Sequence, residues 1–424
     1  MRDRIIMHID MNAFYASVAQ HLDPSLRGKA VAVAGDPKKR NGIILAKSRE
    51  AKAVGVKTAE AIWQARQKCP DLVVVPPDYA AYKRYSKLAR MIYYDYTDRV
   101  EPFGLDESWI DVTGSLPLFG GDAMLVAREI SERVKSELGL TVSVGVSWNK
   151  VFAKLGSDND PGDGIIAITR DNYRDLAWPM AASEMIYVGP ATMRKLHSAG
   201  YETIGDLAHA GDYFLTKRFG KIGPLLGNFA RGEDSSPVKV MDPTKADVDY
   251  VVKGIGNGLT APHDLECESD VKALVWLLSE SVAQRLRESR LRCRTISVGA
   301  RWARDLTGYS RQTTVRVPTC LTRDIANFAM GLLRANQPFD KDHALRAIHV
   351  RVTNLVPMDV PVQCDLFGDA AEVVRMERLD LAIDALRVRF GNTCVKRAVE
   401  LTDDVMSGLD IKRDNTVHPI GFLR

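Results

Sequence analysis

Three acidic residues define the chemistry this sequence can support. Asp10 closes an alternating run, Ile5–Asp10, in which Ile5, Met7 and Ile9 oppose Ile6, His8 and Asp10, the period of a β-strand. Asp106 and Glu107 end the tetrapeptide Gly104-Leu105-Asp106-Glu107, which joins two more strand-like runs, Val100–Phe103 and Ser108–Val112. If these strands are neighbours, three carboxylates share one rim of one sheet. Such a cluster repels itself and raises its own pKa values unless a cation neutralises it. Ligands that are all oxygen, with no Cys or His, select a hard ion, Mg²⁺ or Mn²⁺, which keeps waters and accepts phosphate oxygens. Two such ions roughly 3.5–4 Å apart can activate a 3′-hydroxyl and stabilise a leaving pyrophosphate in an in-line displacement.

The surrounding elements must supply that juxtaposition. A helix is expected from about Ala13 to Gln20, short strands at Val31–Ala34, Ile43–Ala46 and Leu72–Val75, and short helices at Ser48–Val54 and Ala59–Lys68. A longer helix over Tyr79–Tyr96 carries Tyr82, Tyr85, Leu88, Ala89, Ile92 and Tyr96 at the 3.6-residue period. A helix near 121–138 and a strand at Thr141–Ser147 follow. With residues 11–76 set aside as an insertion, the order is β-α-β-β-α-β, the split βαβ pattern. In that topology the first and third strands are antiparallel neighbours, so Asp10 falls beside Asp106 and Glu107. Residues 166–240 read as short helices with Gly-containing turns, among them Val188-Gly189-Pro190. Residues 248–356 read as strands at Ile296–Arg301, Gln312–Val317 and Ala347–Val352, with helices near 270–289 and 322–335. The rest holds a polar loop and an amphipathic helix near 371–390.

Composition narrows the class. At 424 residues, 46% hydrophobic and 26% charged, the chain has the balance of a soluble globular protein and length for about three domains. No window approaches the ~20 uninterrupted apolar residues of a membrane span, and His8 and Asp10 interrupt the apolar start, so neither a span nor a leader is expected. Six cysteines without a Cys-x-x-Cys pair argue against a zinc ribbon or disulfide framework and fit a reducing compartment. The net charge of +4 is mild but unevenly spread: residues 248–356 carry 16 Lys/Arg against 11 Asp/Glu, and 284–316 carry nine Arg against two acids. Concentrated Arg of this kind suits a phosphate backbone.

Three stretches then point to one family. Asp10-Met11-Asn12-Ala13-Phe14-Tyr15-Ala16-Ser17-Val18, Leu105-Asp106-Glu107-Ser108 and Ser143-Val144-Gly145-Val146-Ser147-Trp148-Asn149-Lys150-Val151-Phe152-Ala153-Lys154 resemble the Y-family translesion DNA polymerases, most closely the bacterial DNA polymerase IV group. The resemblance implies an α/β (α+β) right-hand polymerase. A ferredoxin-like palm is expected at 1–10 and 77–165, small fingers at 11–76 and a helix-hairpin-helix thumb at 166–240. A linker at 241–247, a separate α/β little finger at 248–356 and a tail at 357–424 complete it. The implied activity is template-directed extension of a primer 3′-OH with dNTPs, of low fidelity, distributive and without proofreading, in translesion synthesis.

Residue by residue, the likeness makes Asp10, Asp106 and Glu107 the catalytic metal ligands for two Mg²⁺, with Mn²⁺ able to substitute and the Met11 carbonyl as a further ligand. Asn12, Ala13, Phe14 and Tyr15 would meet the nucleotide, their backbone N–H groups at a helix N-terminus suiting triphosphate oxygens. Tyr15 would be a steric gate against a 2′-hydroxyl. Arg49 and Lys52 would grip the triphosphate where relatives usually carry Tyr and Arg, and Lys cannot reproduce the bidentate Arg fork. Asp160 stands where the family commonly has Lys and is not expected to touch substrate. Gly189 in the thumb and Arg301, Arg311 and Arg316 in the little finger would hold DNA phosphates, although strand alternation lets only one face of each strand do so and the sequence does not settle which. Gln363, Leu366 and Phe367 match the sliding-clamp peptide. Primer-template DNA, dNTP and the clamp are therefore the expected partners of a cytoplasmic, nucleoid-associated monomer. Two rival readings, a silent polymerase-like accessory protein and a nucleotidyl cyclase, are opposed respectively by the intact carboxylates and by the thumb, basic domain and clamp peptide.

Overall fold

The structure is a computed structural model that describes residues 3–36, 42–160, 164–240, 252–361 and 370–414. They gather into two compact units, one running to about residue 249 and one from about residue 250 onward.

In the first unit, β1 (Ile6–Met11) leads into α1 (Phe14–Leu22). The inserted segment contains β2 (Val31–Ala34), β3 (Ile44–Lys47), α2 (Arg49–Ala53), α3 (Ile62–Lys68) and β4 (Val73–Val75). Its sheet has the order β3-β2-β4 and closes over a small core of Ala32, Ile44, Ala51, Val56 and Ile62. Then come α4 (Tyr79–Tyr94), β5 (Val100–Phe103), β6 (Glu107–Asp111), α5 (Ala123–Leu138), β7 (Val142–Ser147), α6 (Lys150–Asp158) and β8 (Ile165–Ala167). The sheet order is β5-β6-β1-β7-β8. Its first four strands reproduce the expected ferredoxin-like order, with β1 antiparallel to both β6 and β7. The fifth strand, β8, lies parallel to β7 and runs across the expected palm–thumb boundary at 165/166.

Alternation gives this sheet two buried faces. Met7, Ile9, Met11, Ile110 and Val144 pack with Tyr82, Ile92, Val126 and Ile130 of α4 and α5. Ile6 and Trp109, on the other face, pack with Ala153 of α6. Because α6 covers the side of β1 that carries His8 and Asp10, it supplies polar groups to the carboxylates. The chain continues through α7 (Tyr173–Leu176), α8 (Pro190–His197), α9 (Ile204–His209), α10 (Asp212–Phe219) and α11 (Ile222–Ala230). Leu196, Leu207, Leu215 and Leu226 of these helices share a core with Trp148, Phe152 and Leu155.

The second unit contains β9 (Gly254–Leu265), α12 (Glu268–Glu288), β10 (Leu291–Trp302), β11 (Gly308–Thr319), α13 (Thr322–Arg334) and β12 (Leu345–Pro357). Its antiparallel sheet has the order β11-β10-β12-β9. Ile296, Val298, Ala300, Ile348, Val350 and Val352 turn to α12 and α13, where Leu274, Leu278 and Met330 meet them. The long helix α14 (Ala370–Phe390) and the short α15 (Asp404–Ser407) and α16 (Ile411–Asp414) follow. Met406 and Ile411 join the same core. The last described segment is therefore part of the unit.

Candidate active site

Asp10 lies directly across from Glu107 in the β1–β6 ladder and from Ser143 in the β1–β7 ladder. Opposite residues of an antiparallel pair share a face, so Asp10 and Glu107 project together, next to His8 and Trp109. The Met11 N–H donates to the Asp106 carbonyl at 3.1 Å, tying the end of β1 to the turn before β6. The three carboxylates are thus brought together as the topology required.

Their electrostatics are those of a cluster short of positive charge. Burial first, then Glu107 and Asp106, push Asp10 up to about 8. Burial first, then Glu107, push Asp106 up to about 6. Glu107 goes the other way: burial would raise it, but His8 and Lys154 together outweigh burial and hold it below its ordinary value. Lys154 Nζ stands 2.7 Å from Glu107 Oε2 and 3.0 Å from Asp158 Oδ1. His8 is fully buried, and burial above all pushes its pKa below the ordinary value. Its Nε2 lies 3.2 Å from Glu107 Oε2, off the line of a well-formed hydrogen bond, and its Nδ1 lies 2.6 Å from Ser157 Oγ.

This donor set fits a hard divalent cation. It is all oxygen and part-buried, and burial with mutual repulsion pushes Asp10 and Asp106 up, a penalty that a cation would relieve. Among the described residues no group of three or more His, Cys, Asp or Glu side chains is arranged, as it stands, to hold a metal ion. That agrees with Glu107 being turned toward Lys154, and with ions that take water and phosphate oxygens as their remaining ligands.

Beyond Asp10 the chain turns sharply. Ala13 adopts a left-handed conformation (φ 48°) at the N-cap of α1, and no side chain caps the helix. The expectation of a continuous amide cradle from Asn12 to Tyr15 needs one correction: the Asn12 N–H donates to the Thr141 carbonyl at 2.9 Å, so its amide is engaged within the fold. Tyr15 is half-buried and lies flat on Tyr82, ring centroids 4.1 Å apart and planes 9° from parallel, with Tyr79 edge-on at 6.0 Å. Phe14 is instead a core residue, 3% exposed. The two aromatics of the motif therefore divide the work, one packing the palm and one facing outward.

Arg49 is the first residue of α2, and its Nη2 donates to Thr141 Oγ1 at 3.1 Å, beside the end of β1. Lys52 sits one turn further on and is exposed. Asp160 folds back: its Oδ2 lies 2.7 Å from Ser143 Oγ and accepts from the Gly164 N–H at 2.7 Å. That carboxylate ties the residues after α6 to Gly164, just before β8, and to Ser143 of β7. Gly189 caps α8, with Pro190 at the first helical position.

In the second unit the three expected arginines separate. Arg301 and Arg316 are exposed on the sheet face opposite α12 and α13. Arg311 shares the parity of Val315, which is buried under the helices, and its Nε donates to Asn336 Oδ1 at 2.7 Å. The expectation that it joins the other two is corrected by strand alternation. Arg351, which pairs with Ser297 on β10, takes its place on the open face. That face carries a shallow trough of about 580 Å³ lined by Gly258, Gly299, Arg301, Ser310 and His349. Gln363, Leu366 and Phe367, like the linker 241–247, lie outside the described residues.

Sequence reasoning missed His8, Lys154, Ser157 and Tyr82. Lys154 sat inside a quoted motif, and Tyr82 sat three residues after Tyr79 at the start of α4, so a signal existed for both.

A ferredoxin-like sheet with paired carboxylates at one rim, an aromatic platform beside them and an arginine-bearing second unit defines a metal-dependent nucleotidyl transferase of the right-hand polymerase class. Residues 9–158 match the impB/mucB/samB family, and residues 252–366 match the C-terminal domain of that family. DNA polymerase IV of Acetivibrio thermocellus is 45% identical over 400 residues, covering 94% of this chain and 98% of the relative. DNA polymerase IV 1 of Bacillus subtilis is 36% identical, covering 94% of each. A solved Y-family DNA polymerase chimera shares the fold with a TM-score of 0.71 at 22% identity, covering 83% of this chain and 99% of the other. The chain belongs to the DNA polymerase IV family of Y-family polymerases. Members of this family use divalent metal and primer-template DNA and lack proofreading. Among the described residues no helix is long and apolar enough to cross a membrane.

Proposed function

We propose that this chain extends a primer 3′-OH along a DNA template with dNTPs, releasing pyrophosphate, as a low-fidelity, distributive translesion polymerase. The observation that carries the reading is the in-register pairing of Asp10 with Glu107, with Asp106 adjoining. Asp10, Asp106 and Glu107, with the Met11 carbonyl, would hold two Mg²⁺, and Mn²⁺ would substitute. When bound, such ions supply Lewis-acid activation of the hydroxyl and neutralise the developing pyrophosphate charge.

The chain's own residues do the positioning. Lys154 holds Glu107 from behind, and His8, buried between Glu107 and Ser157, closes the floor of the cluster. Arg49 and Lys52, with the uncapped start of α1 from Ala13 to Tyr15, offer positive charge and amides to the triphosphate. The Tyr15 ring, fixed by its stack on Tyr82, would abut C2′ and exclude a 2′-hydroxyl. Phe14 supports this arrangement from the core, and Asn12 does so through Thr141. Gly189 and the arginines of the open sheet face, Arg301, Arg316 and Arg351, would take DNA phosphates, which position the duplex without reading its sequence. Gln363, Leu366 and Phe367 would seat in an apolar pocket of the sliding clamp. The protein would act as a cytoplasmic, nucleoid-associated monomer.

Primer extension tests this directly. Asp106→Ala should abolish nucleotide addition while leaving primer-template affinity within about twofold; continued extension by that variant removes the site assignment. In the same assay Tyr15→Ala should improve the use of ribonucleotides relative to deoxynucleotides by about 10–200-fold, the range a single steric contact supplies.

A further inference from the structure

Helix α14 is assembled inside out. Asp380, Asp384 and Arg387 face inward and are buried. Val374, Leu381 and Val388 on one flank and Leu379, Leu386 and Phe390 on the other are 43–78% exposed. Ion pairs hold the inward face. Arg287 of α12 donates to both oxygens of Asp384, at 2.6 and 2.9 Å, and to Asp380 at 3.1 Å. Arg397 bridges Glu280 and Asp380 at 2.7 and 3.0 Å. A buried ionic contact of this kind gains little over an apolar one, so the helix's apolar residues are not what attaches it to its own unit. Two stripes of large apolar side chains left in water mark an interaction surface.

The charges around those stripes say what kind of partner fits. Arg375, Arg378 and Arg389 are exposed. The acids of the helix turn to its own unit: Glu372 to Arg323, Glu377 to Arg292, and Asp380 and Asp384 to Arg287. A second copy would bring arginines against arginines. A DNA backbone would satisfy the arginines and leave the apolar stripes uncovered. An acidic protein surface with apolar grooves satisfies both. Sequence distance selects among such proteins, since Phe367 precedes the first residue of α14 by only three positions, a reach of about 10 Å. A protein that holds Leu366 and Phe367 is therefore kept beside this helix.

We infer that the outer face of α14 is a second contact for the sliding clamp, engaged once the peptide has docked. The inference rests on the clamp reading of Gln363–Phe367. Its test is the affinity of the full chain for the purified sliding clamp of the host cell. The double variant Leu381→Glu/Val388→Glu is compared with wild type and with Leu366→Ala/Phe367→Ala, and clamp-free primer extension and thermal unfolding verify that each variant is folded.

The α14 variant should bind the clamp about tenfold more weakly, with clamp-free extension unchanged. Wild-type clamp affinity in that variant, alongside a loss in the peptide variant, overturns the second contact and leaves the peptide reading intact. Absence of clamp binding by the wild type overturns both. A wild-type dimer that the α14 variant converts to monomer also overturns the inference, in favour of self-association.

Discussion

At the scale of single residues, the site is governed by a conflict between burial and charge. Asp10 is pushed up to about 8 and Asp106 to about 6, burial being the larger cause for each. Between the ordinary carboxylate value of 3.8 and about 8, folded Asp10 therefore holds a proton that the unfolded chain releases. The folded state binds more protons across that window, so this site's contribution to stability falls as pH rises through it. A divalent cation replaces the proton and removes the penalty. Thermal unfolding with and without Mg²⁺ should accordingly show a larger metal-induced rise in Tm at pH 8 than at pH 5, with protons released on binding. Asp10→Asn should unfold at a higher temperature than wild type in metal-free buffer at pH 8 and should lose most of the metal-induced shift. An equal Mg²⁺ effect at both pH values would count against the carboxylate cluster as the binding locus.

At the scale of elements, the site depends on how closely α6 lies on β7. A Cβ added at Gly145 would stand 1.8 Å from the Ala153 carbonyl oxygen and 2.6 Å from the Ser157 nitrogen, so helix and strand meet backbone to backbone. That contact is what brings Lys154 to Glu107 and Ser157 to His8. Gly145→Ala should lift α6, costing about 1–3 kcal/mol of stability by overpacking and lowering the extension rate more than DNA affinity. Wild-type Tm and rate in this variant would show that the close approach does not matter. The same contact explains the limits of sequence reading. The β-α-β-β-α-β order, and hence the meeting of Asp10 with Glu107, was legible because strand alternation and the Tyr79–Tyr96 period are local patterns. Helix α6 was not, because it begins only three residues after β7, and the part of the site it supplies arises from packing across the sheet. Strand β9 was hidden by its composition: Gly254, Gly256, Gly258 and Pro262 are poor strand formers. It survives because it is an edge strand, which tolerates proline, and because any side chain at Gly258 would press on His349, with a Cβ only 2.8 Å from that ring. Arg311 was misplaced because alternation sets two faces without saying which one the helices cover.

At the scale of the whole molecule, the mild net charge of +4 conceals a division of labour. Residues near the carboxylates must avoid excess negative charge only locally, whereas DNA affinity requires positive charge spread over an open surface. The sheet of the second unit meets that need on one face, where Arg301, Arg316 and Arg351 are exposed and Gly256, Gly258 and Gly299 keep the surface low. Each phosphate neutralised by such a side chain releases about one counterion, so it adds close to one to the slope of log affinity against log salt. Arg351→Ala should weaken binding of primer-template DNA uniformly across sequences and reduce the magnitude of that slope by about 1 between roughly 50 and 200 mM salt. Arg311→Ala should leave the slope unchanged, because its guanidinium faces the helices and is bonded to Asn336. The pair of variants separates a real phosphate surface from a general effect of net charge, since both remove one positive charge from the same strand system. Equal slopes for the two would mean that the field of the whole unit, rather than one face of its sheet, draws the DNA.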